Sequence, residues 1–358
     1  MTKFDKAVAV RTDEQLDKNS LESYLKTHLS DFKQITEIQQ FPGGYSNLTY
    51  LLHSNLGELV LRRPPLGANI KSAHDMGREY KILSAVAKVY DKVPKVYLHC
   101  EDEAVLGSPF YVMERVKGVI LRGGQPTTIS PSKMKAVSEA LVDNLVKIHQ
   151  IDLEKSGLIS MNKGKGYVER QVKGWTKRYF NAQTDELSDM NFVAEWLAQN
   201  MPKTENIAFI HNDYKYDNLV LNAENYEEIN AVLDWEMATV GDNLMDLGTS
   251  LAYWVENDDS PLLKTFNLSW VEGNLSREEV VERYIKKMGN EHTKLEDILF
   301  YYVFGAFKLA VILQQIYARY KKGLTQDKRF AILIEGVKAC AKNGASAIKL
   351  NRISQLNT

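Results

Sequence analysis

The hydrophobic and polar positions of the chain follow a strand-like pattern near its start and a helical period later. Residues 1–32 are polar with widely spaced apolar positions, which predicts a weakly helical extension. Five later segments are rich in β-branched and aromatic residues and are separated by Gly, Asn or Pro turns: 35–41, 47–54, 58–63, 94–100 and 109–116. This pattern predicts a small sheet of about five strands.

One helix is predicted to accompany that sheet, over residues 72–90. Ser72 can cap its N-terminus, and Asp75 completes the S-x-x-D pattern of a capping box. The apolar residues at helical spacing are Met76, Tyr80, Leu83, Ala87 and Tyr90.

After residue 116 the pattern becomes mostly helical. Ser130 followed by Pro131 indicates a helix start, and that helix is predicted to run to His149. Further helices are predicted at 168–181, 189–200, 243–255, 277–288 and 294–321. The exception is 205–240, which contains short apolar runs. We therefore expect an N-terminal lobe over 1–116, with 1–32 as its extension, and a C-terminal lobe over 117–358.

Composition narrows the class of protein further. Of the 358 residues, 44% are hydrophobic and 25% are charged, and the net charge is -1, which is typical of a globular protein and argues against nucleic acid or an anionic membrane as partner. Cys100 and Cys340 form no metal or disulfide pattern, and no signal peptide is visible, so we expect a cytoplasmic location. The sequence does not indicate an oligomeric state.

The densest polar cluster runs from His211 to Asn218, directly before a short apolar run. A second cluster begins at Asp234, directly after another such run. A hairpin would bring Asp213, Asn218 and Asp234 to one edge. One carboxylate could then accept a proton from a hydroxyl, while the other oxygens hold a divalent cation on phosphates. The alternative is that these are ordinary turn residues.

The pattern His-x-Asp-x-x-x-x-Asn at 211–218, followed by Asp234, resembles the aminoglycoside phosphotransferase and choline kinase branch of the protein-kinase-like superfamily. This resemblance implies an α+β, two-lobed fold with a small antiparallel-sheet N-lobe, one main helix there, and a larger, mostly helical C-lobe. It implies that Asp213 is the base or the orienting group for a hydroxyl. Lys215 would lie near the transferred phosphoryl group, and Asn218 and Asp234 would bind Mg²⁺.

The same resemblance implies an ATP site in the N-terminal lobe. Its phosphate-binding residues would be Gly44, Ser46 and Asn47 in the first turn, and Arg62 paired with Glu79. Backbone groups of Glu114 and Val116 would contact adenine. Arg62 stands where kinases carry lysine, and this departure leaves open a pseudokinase-like module that binds a nucleotide or acyl ligand without turnover.

The segments VLRRPP and SAHDMGREY resemble a narrower branch, the kinase-like domain fused to or beside acyl-CoA dehydrogenases, in which arginine is usual at the position of Arg62. The basic stretch 163–178 suits an anionic acceptor such as a hydroxyacyl-CoA, and argues against a polycationic aminoglycoside. The other interpretation of this stretch is a solvated helix face.

We therefore predict a phosphotransferase that uses ATP and Mg²⁺ and a hydroxylated small molecule. Two further expectations concern the C-terminal lobe. Asp246 should support the catalytic loop, and His211 should have a structural role in tying this loop to the core. The helix at 297–320 could line a substrate pocket or could be core, through Phe304, Phe307, Lys308, Val311, Gln314, Gln315 and Arg319.

Overall fold

The computed structural model describes residues 6–42, 47–65, 75–123, 129–289, 292–325 and 327–357. The strands of these ranges are β1 (Val8–Ala9), β2 (Ile35–Gln40), β3 (Leu48–Ser54), β4 (Gly57–Arg63), β5 (Val96–Cys100), β6 (Phe110–Glu114), β7 (Ile207–Ile210), β8 (Leu219–Leu221), β9 (Ile229–Val232) and β10 (Thr239–Asp242). The α-helices are α1 (Lys18–His28), α2 (Met76–Val86), α3 (Glu103–Leu106), α4 (Pro131–His149), α5 (Leu153–Ser156), α6 (Tyr167–Ala182), α7 (Ser188–Gln199), α8 (Asn243–Tyr253), α9 (Pro261–Lys264), α10 (Arg277–Met288), α11 (Leu299–Lys321) and α12 (Leu333–Leu350). The predicted α+β class is confirmed.

Contacts within the chain group it into two compact units. The first unit comprises Met1–Ile120, Glu154–Leu158 and Asn218–Ala238. The second comprises Leu121–Leu153, Ile159–Asp217 and Thr239–Thr358. The division at residue 116 predicted from the sequence put 218–238 in the C-terminal lobe, whereas these contacts group β8 and β9 with the first unit.

The first unit contains an antiparallel six-stranded sheet in the order β1-β2-β3-β4-β6-β5. In addition to the five predicted strands, the sheet contains β1, in which Val8 pairs with Gln40. This strand lies inside the extension predicted to be helical. Two residues are too short a run to show an alternating pattern, so the sequence analysis missed this strand. Residues 18–28 of the extension form α1, whose Leu21 and Leu25 are fully buried against the sheet.

The helix of the first unit, α2, begins one turn later than predicted. Asp75 is its N-cap, and its side chain accepts a hydrogen bond of 2.8 Å from the backbone N–H of Arg78. The prediction of Ser72 as the cap is therefore replaced, and Ser72 itself lies outside the described residues. Asp75 fills the cap because a short carboxylate can reach the free N–H groups of the first turn.

The second unit is organised around α11, which packs against α6, α7, α8 and α12. Most of α11 is buried, which explains its almost continuous apolar sequence. The predicted cap of α4 is confirmed, since Ser130 accepts from Lys133 N–H and Pro131 is the first helical residue. The sequence analysis missed α12, because Gly336, Asn343 and Gly344 weaken its helical pattern.

Within the described ranges, no helix combines the length and the apolar character needed to cross a bilayer. Cys100 and Cys340 are both buried and free.

Helices α8 and α11 approach closely where glycines remove side chains from the crossing. A Cβ atom added to Gly305 would lie 2.0 Å from the carbonyl oxygen of Gly248, and one on Gly248 would lie 2.1 Å from that of Tyr301. Both neighbours are backbone atoms, so neither can move without separating the two helices.

Replacing Gly305 by alanine should therefore destabilise the second unit by about 1–3 kcal/mol, the usual cost of overpacking a core. Gly174 in α6 is the matched control, because no atom of the described residues lies within 4 Å of the place that a Cβ would take there. Gly174→Ala should stabilise by about 0.5–1 kcal/mol through helix propensity. Urea unfolding of both variants measures the difference, and equal effects of the two changes would contradict the close crossing.

Candidate active site

Strand β4 of the first unit carries two neighbouring arginines that face opposite ways, as alternation along a strand requires. Arg62 Nη1 donates to Glu79 Oε1 of α2 at 2.7 Å, and both side chains are buried. Arg63 donates instead to the carbonyl oxygen of Leu106 at 2.9 Å. The structure therefore brings together the Arg62–Glu79 pair that the sequence analysis expected.

Arg62 also contacts the acid of the second polar cluster. Its Nη2 lies 3.2 Å from Asp234 Oδ1 and 3.9 Å from Glu236 Oε2. Asp234 has a left-handed backbone, with φ of 65°, and the turn is anchored by Trp235, whose indole N–H donates to the carbonyl of Val232 at 2.9 Å. Aspartate tolerates this conformation better than most residues. The buried tryptophan thus holds a carboxylate at the end of β9.

Carboxylates and guanidinium groups are mixed in this cluster. The carboxylates of Glu79, Asp234 and Glu236 lie around Arg62, and the guanidinium of Arg78 also acts on Glu79. Burial alone would lower the pKa of Arg62, but the nearby carboxylates raise it well above its ordinary value. Arg62 therefore stays charged, whereas burial raises the pKa of Glu79.

Asn218 and Asp234 flank the antiparallel pair β8–β9 at the same end. Leu219 is paired with Val232, and the N–H of Leu233 donates to the carbonyl of Asn218 at 2.8 Å. A carboxylate and an amide oxygen are suitable Mg²⁺ ligands. In the described part of the chain, no group of three or more acidic, histidine or cysteine side chains could hold a metal alone. Asn218 and Asp234 supply two oxygen donors at this end of the strand pair.

Two side chains hold the Asp234 turn: Arg78, which the sequence analysis did not assign, and Asn47, whose predicted contact with phosphate stays a prediction. Arg78 Nη1 donates to the carbonyl of Glu236 at 2.6 Å, and its Nη2 donates to that of Ala238. Asn47 donates through Nδ2 to Glu236 Oε2 at 2.9 Å. Arg78 could have been noticed from the sequence, because a cation in the first turn of a helix opposes the helix dipole and needs a specific partner.

In the second unit, the loop of residues 211–215 is fixed by a buried aspartate. Asp246 of α8 accepts the backbone N–H groups of His211 and Asn212, each at 2.7 Å, and lies 3.0 Å from His149 Nε2. Burial alone would raise the pKa of Asp246, but these hydrogen bonds and the nearby imidazoles lower it. Asp246 therefore supports the loop as expected, while His211 is completely buried.

Asp213 and Lys215 form a close pair on this loop. Lys215 Nζ lies 2.9 Å from both carboxylate oxygens of Asp213 and 4.3 Å from the ring centre of Tyr253. Burial alone would raise the pKa of Asp213 and lower that of Lys215, but their mutual attraction outweighs it. The pKa of Asp213 is lowered and that of Lys215 is raised. Tyr253 was not anticipated, because it comes from the distant end of α8.

The other predicted nucleotide residues are only partly described. Gly44 and Ser46 lie outside the described residues, so their predicted contact with phosphate stays a prediction. Glu114 ends β6, and its backbone N–H already donates to the carbonyl of Lys95 at 2.8 Å. Val116 packs its side chain against Ile120 and its neighbours. The adenine contacts of Glu114 and Val116 also stay predictions.

The predicted pocket residues of α11 are largely core. Phe304, Phe307 and Val311 are buried, and the ring of Phe307 lies 6.0 Å from that of Tyr179. The alternative of core packing therefore describes these three side chains. Lys308 is also buried, and it contacts the 211–215 loop rather than a pocket.

The basic stretch forms the start of α6 and the segment before it. Lys173 is paired with Glu169 at 2.5 Å, and the guanidinium of Arg178 lies 4.5 Å from the ring centre of Trp175. The side chains of Lys163, Lys165 and Lys177 are exposed. Part of the predicted positive surface is thus neutralised, and part remains available to an anion.

A comparison with protein-family profiles identifies the family of the chain. The profile of the Phosphotransferase enzyme family matches residues 37–280, more than half of the chain. The chain belongs to this family, which supports phosphotransferase activity on a hydroxyl acceptor.

Solved structures show the same fold. A crystal structure from Ralstonia eutropha, assigned to the aminoglycoside phosphotransferases, has a TM-score of 0.80 and 28% identity, and the match covers 94% of this chain and 99% of that one. The GDP complex of aminoglycoside 2'-phosphotransferase-IIIa has a TM-score of 0.61 and 16% identity, covering 90% and 99%. The two-lobed, kinase-like fold predicted from the sequence is confirmed.

Curated relatives are longer than this chain. The human protein named acyl-CoA dehydrogenase family member 11 is 33% identical over 340 residues, which is 94% of this chain but 43% of that protein. Mouse acyl-CoA dehydrogenase family member 10 is 35% identical over 314 residues, 87% of this chain and 29% of that protein. The chain thus spans less than half the length of these relatives, and the predicted resemblance to this branch is confirmed.

The ion pair between Asp213 and Lys215 should stabilise the folded second unit only while both partners are present. Lys215→Met leaves a partly buried carboxylate without its partner and should cost about 1–3 kcal/mol at pH 7. The double variant Asp213→Asn/Lys215→Met should recover most of that loss. A double-mutant cycle by chemical denaturation measures the coupling.

The pH dependence of this coupling follows from the two pKa shifts. The carboxylate contribution is present above the ordinary aspartate value of 3.8 and is lost as the pH falls further. The ammonium contribution is present below the ordinary lysine value of 10.5 and is lost at higher pH. A coupling energy that is near zero at pH 7 would contradict the pair.

Proposed function

We propose that the chain is an ATP-dependent small-molecule kinase that transfers the γ-phosphoryl group to a hydroxyl of a metabolite. The observation that carries this proposal is the Asp213–Lys215 pair, held on a loop whose backbone is bound by the buried Asp246. A carboxylate fixed in this way can hold a hydroxyl in line with a phosphoryl group. Such positioning supplies most of the catalysis in phosphoryl transfer.

Asp213 is better suited to orient the acceptor than to act as a strong base. Its lowered pKa makes it a weak proton acceptor at neutral pH. In the proposed reaction the acceptor oxygen forms a bond to the γ-phosphorus and the bond to the β-phosphate bridging oxygen breaks. The hydroxyl proton passes to Asp213 as the transfer proceeds, and Lys215 offsets negative charge on the moving phosphoryl group.

The nucleotide would be held by residues of the first unit. Arg62 can bind a phosphate while it keeps its bond to Glu79, because a guanidinium has several donors in a fixed plane. Gly44, Ser46 and Asn47 would contribute phosphate contacts. Glu114 and Val116 would contact adenine through their backbones.

Asn218 and Asp234 would hold Mg²⁺ in the same proposal. The ion would offset negative charge on the nucleotide phosphates. The carboxylates of Asp234 and Glu236, which lie beside Arg62, would attract the ion.

For the acceptor we propose a hydroxyacyl-CoA, acted on in the cytoplasm. Two curated relatives carry the name acyl-CoA dehydrogenase family member, and coenzyme A brings several phosphates to a surface that exposes Lys163, Lys165 and Lys177. A polycationic acceptor would meet repulsion on the same surface.

A second candidate is a binding module without turnover. It is favoured by one observation, that Arg62 already contacts Asp234, the proposed metal ligand, at 3.2 Å. A module of this kind would bind a nucleotide or acyl ligand and release no ADP. Release of ADP that requires Asp213 therefore separates the two candidates.

Changing Asp213 to asparagine should nearly abolish turnover, because the amide removes the carboxylate that orients the hydroxyl and takes its proton as the transfer proceeds. The loss should be about 10²–10⁴-fold, the range typical of a positioned acid–base group. Binding of Mg²⁺-ATP should be nearly unchanged. ADP release with a panel of hydroxylated acceptors measures the rate, and Asp185→Asn is the control because Asp185 is exposed. A variant that retains most of its rate would remove Asp213 from the mechanism.

The acceptor proposal predicts a strong preference for the coenzyme A moiety. 3-Hydroxybutyryl-CoA and its N-acetylcysteamine thioester carry the same hydroxyl, but only the former carries phosphates. We expect kcat/KM to fall at least about tenfold with the truncated thioester, equivalent to 1.4 kcal/mol. Lys165→Glu should weaken the binding of 3-hydroxybutyryl-CoA. Lys342→Glu, on the exposed face of α12, should leave that binding unchanged. Equal use of the two thioesters would refute a coenzyme A acceptor.

A further inference from the structure

A buried lysine from α11 contacts the loop that carries Asp213. Lys308 is only 3% exposed, and its Nζ donates to the carbonyl oxygen of Asn212 at 2.9 Å. The same nitrogen lies 3.5 Å from Asn212 Oδ1 and from Thr249 Oγ1, and 5.7 Å from the ring centre of Trp175. A lysine is seldom buried this deeply unless its ammonium group is paired with acceptors.

The peptide group between Asn212 and Asp213 is held at both ends. Lys308 binds its carbonyl oxygen, and its N–H donates to His211 Nδ1 at 3.3 Å. Because a peptide group is planar, two such contacts fix the direction in which the chain enters Asp213. Asn212 also has a left-handed φ of 67°, a conformation that asparagine adopts more readily than most residues.

Charged groups face Lys308 from each neighbouring element. Asp246 of α8 and Asp213 of the loop attract its ammonium group, whereas Lys215 of the loop and Arg178 of α6 repel it. Burial is the largest influence, and the net result lowers the pKa of Lys308 to about 8. Lys308 is therefore a charged hydrogen-bond donor to Asn212 at neutral pH and a weaker, neutral donor at alkaline pH.

We propose that Lys308 is a positioning residue for phosphoryl transfer, which acts through the Asn212–Asp213 peptide to aim the carboxylate of Asp213. This inference rests on the proposed kinase function. It assigns to Lys308 a part in the rate of transfer rather than in nucleotide binding. It also makes that rate sensitive to pH, since loss of the ammonium proton weakens the bond to Asn212.

The first test uses ADP release from Mg²⁺-ATP with water as the acceptor. Lys308→Met should lower kcat, by up to about 100-fold if the carboxylate moves by an ångström, and should leave KM for ATP unchanged. The wild-type kcat should fall as the pH rises above 8. Lys308→Arg keeps a permanent charge, so its alkaline decrease should disappear. Lys321→Met is the matched control on the exposed last turn of α11 and should behave as the wild type.

The second test does not need turnover. Amide hydrogen exchange should become faster in the peptide 207–216 of Lys308→Met, with residues 333–350 of α12 as the internal reference. Lys321→Met should show no such change. Faster local exchange supports the role of the Lys308–Asn212 hydrogen bond in holding the loop. If exchange is faster but no ADP is released, only the kinase proposal fails. Unchanged exchange, or an unchanged kcat in an active enzyme, overturns the inference. Should Lys308→Met fail to fold, an alkaline decrease retained by Lys308→Arg would overturn it as well.

Discussion

The carboxylate of Asp246 accepts the backbone N–H groups of His211 and Asn212, and the geometry of the 211–215 loop depends on these two bonds. A buried carboxylate keeps its charge only when such donors compensate for lost water. Asp246 therefore fixes the loop, and the loop also satisfies Asp246. Lys308 completes the arrangement from α11 by binding the carbonyl of Asn212. The close crossing of α8 and α11 at Gly248 and Gly305 brings the two helices that supply these groups together.

Each of the two units contains a cation that is paired with a carboxylate before any ligand binds. In the first, Arg62 is shared between Glu79 and Asp234. In the second, Lys215 contacts both oxygens of Asp213. In the proposed function, such pre-formed pairs would keep these groups charged without reorganisation during the transfer.

Local sequence signals account for much of this arrangement. The cap at Ser130 and Pro131 marked the start of α4, and alternation along β4 separated Arg62 from Arg63. The spacing of Asp213 and Asn218 identified the loop. The missed residues depend on long-range packing instead: Tyr253 and Lys308 reach the loop from α8 and α11, which no local pattern relates to it. Strand β1 was missed because its two residues carry no period.

Calorimetric titration of the protein with ATP, in the presence of Mg²⁺ and then of EDTA, tests the account most directly. In a site formed by Arg62 with Asn218 and Asp234, the metal would offset the repulsion between the Asp234 carboxylate and the phosphates. Binding should therefore be clear with Mg²⁺ and at least about tenfold weaker with EDTA, a loss of 1.4 kcal/mol. Binding of equal strength under both conditions, or no binding under either, would contradict a kinase site in this chain.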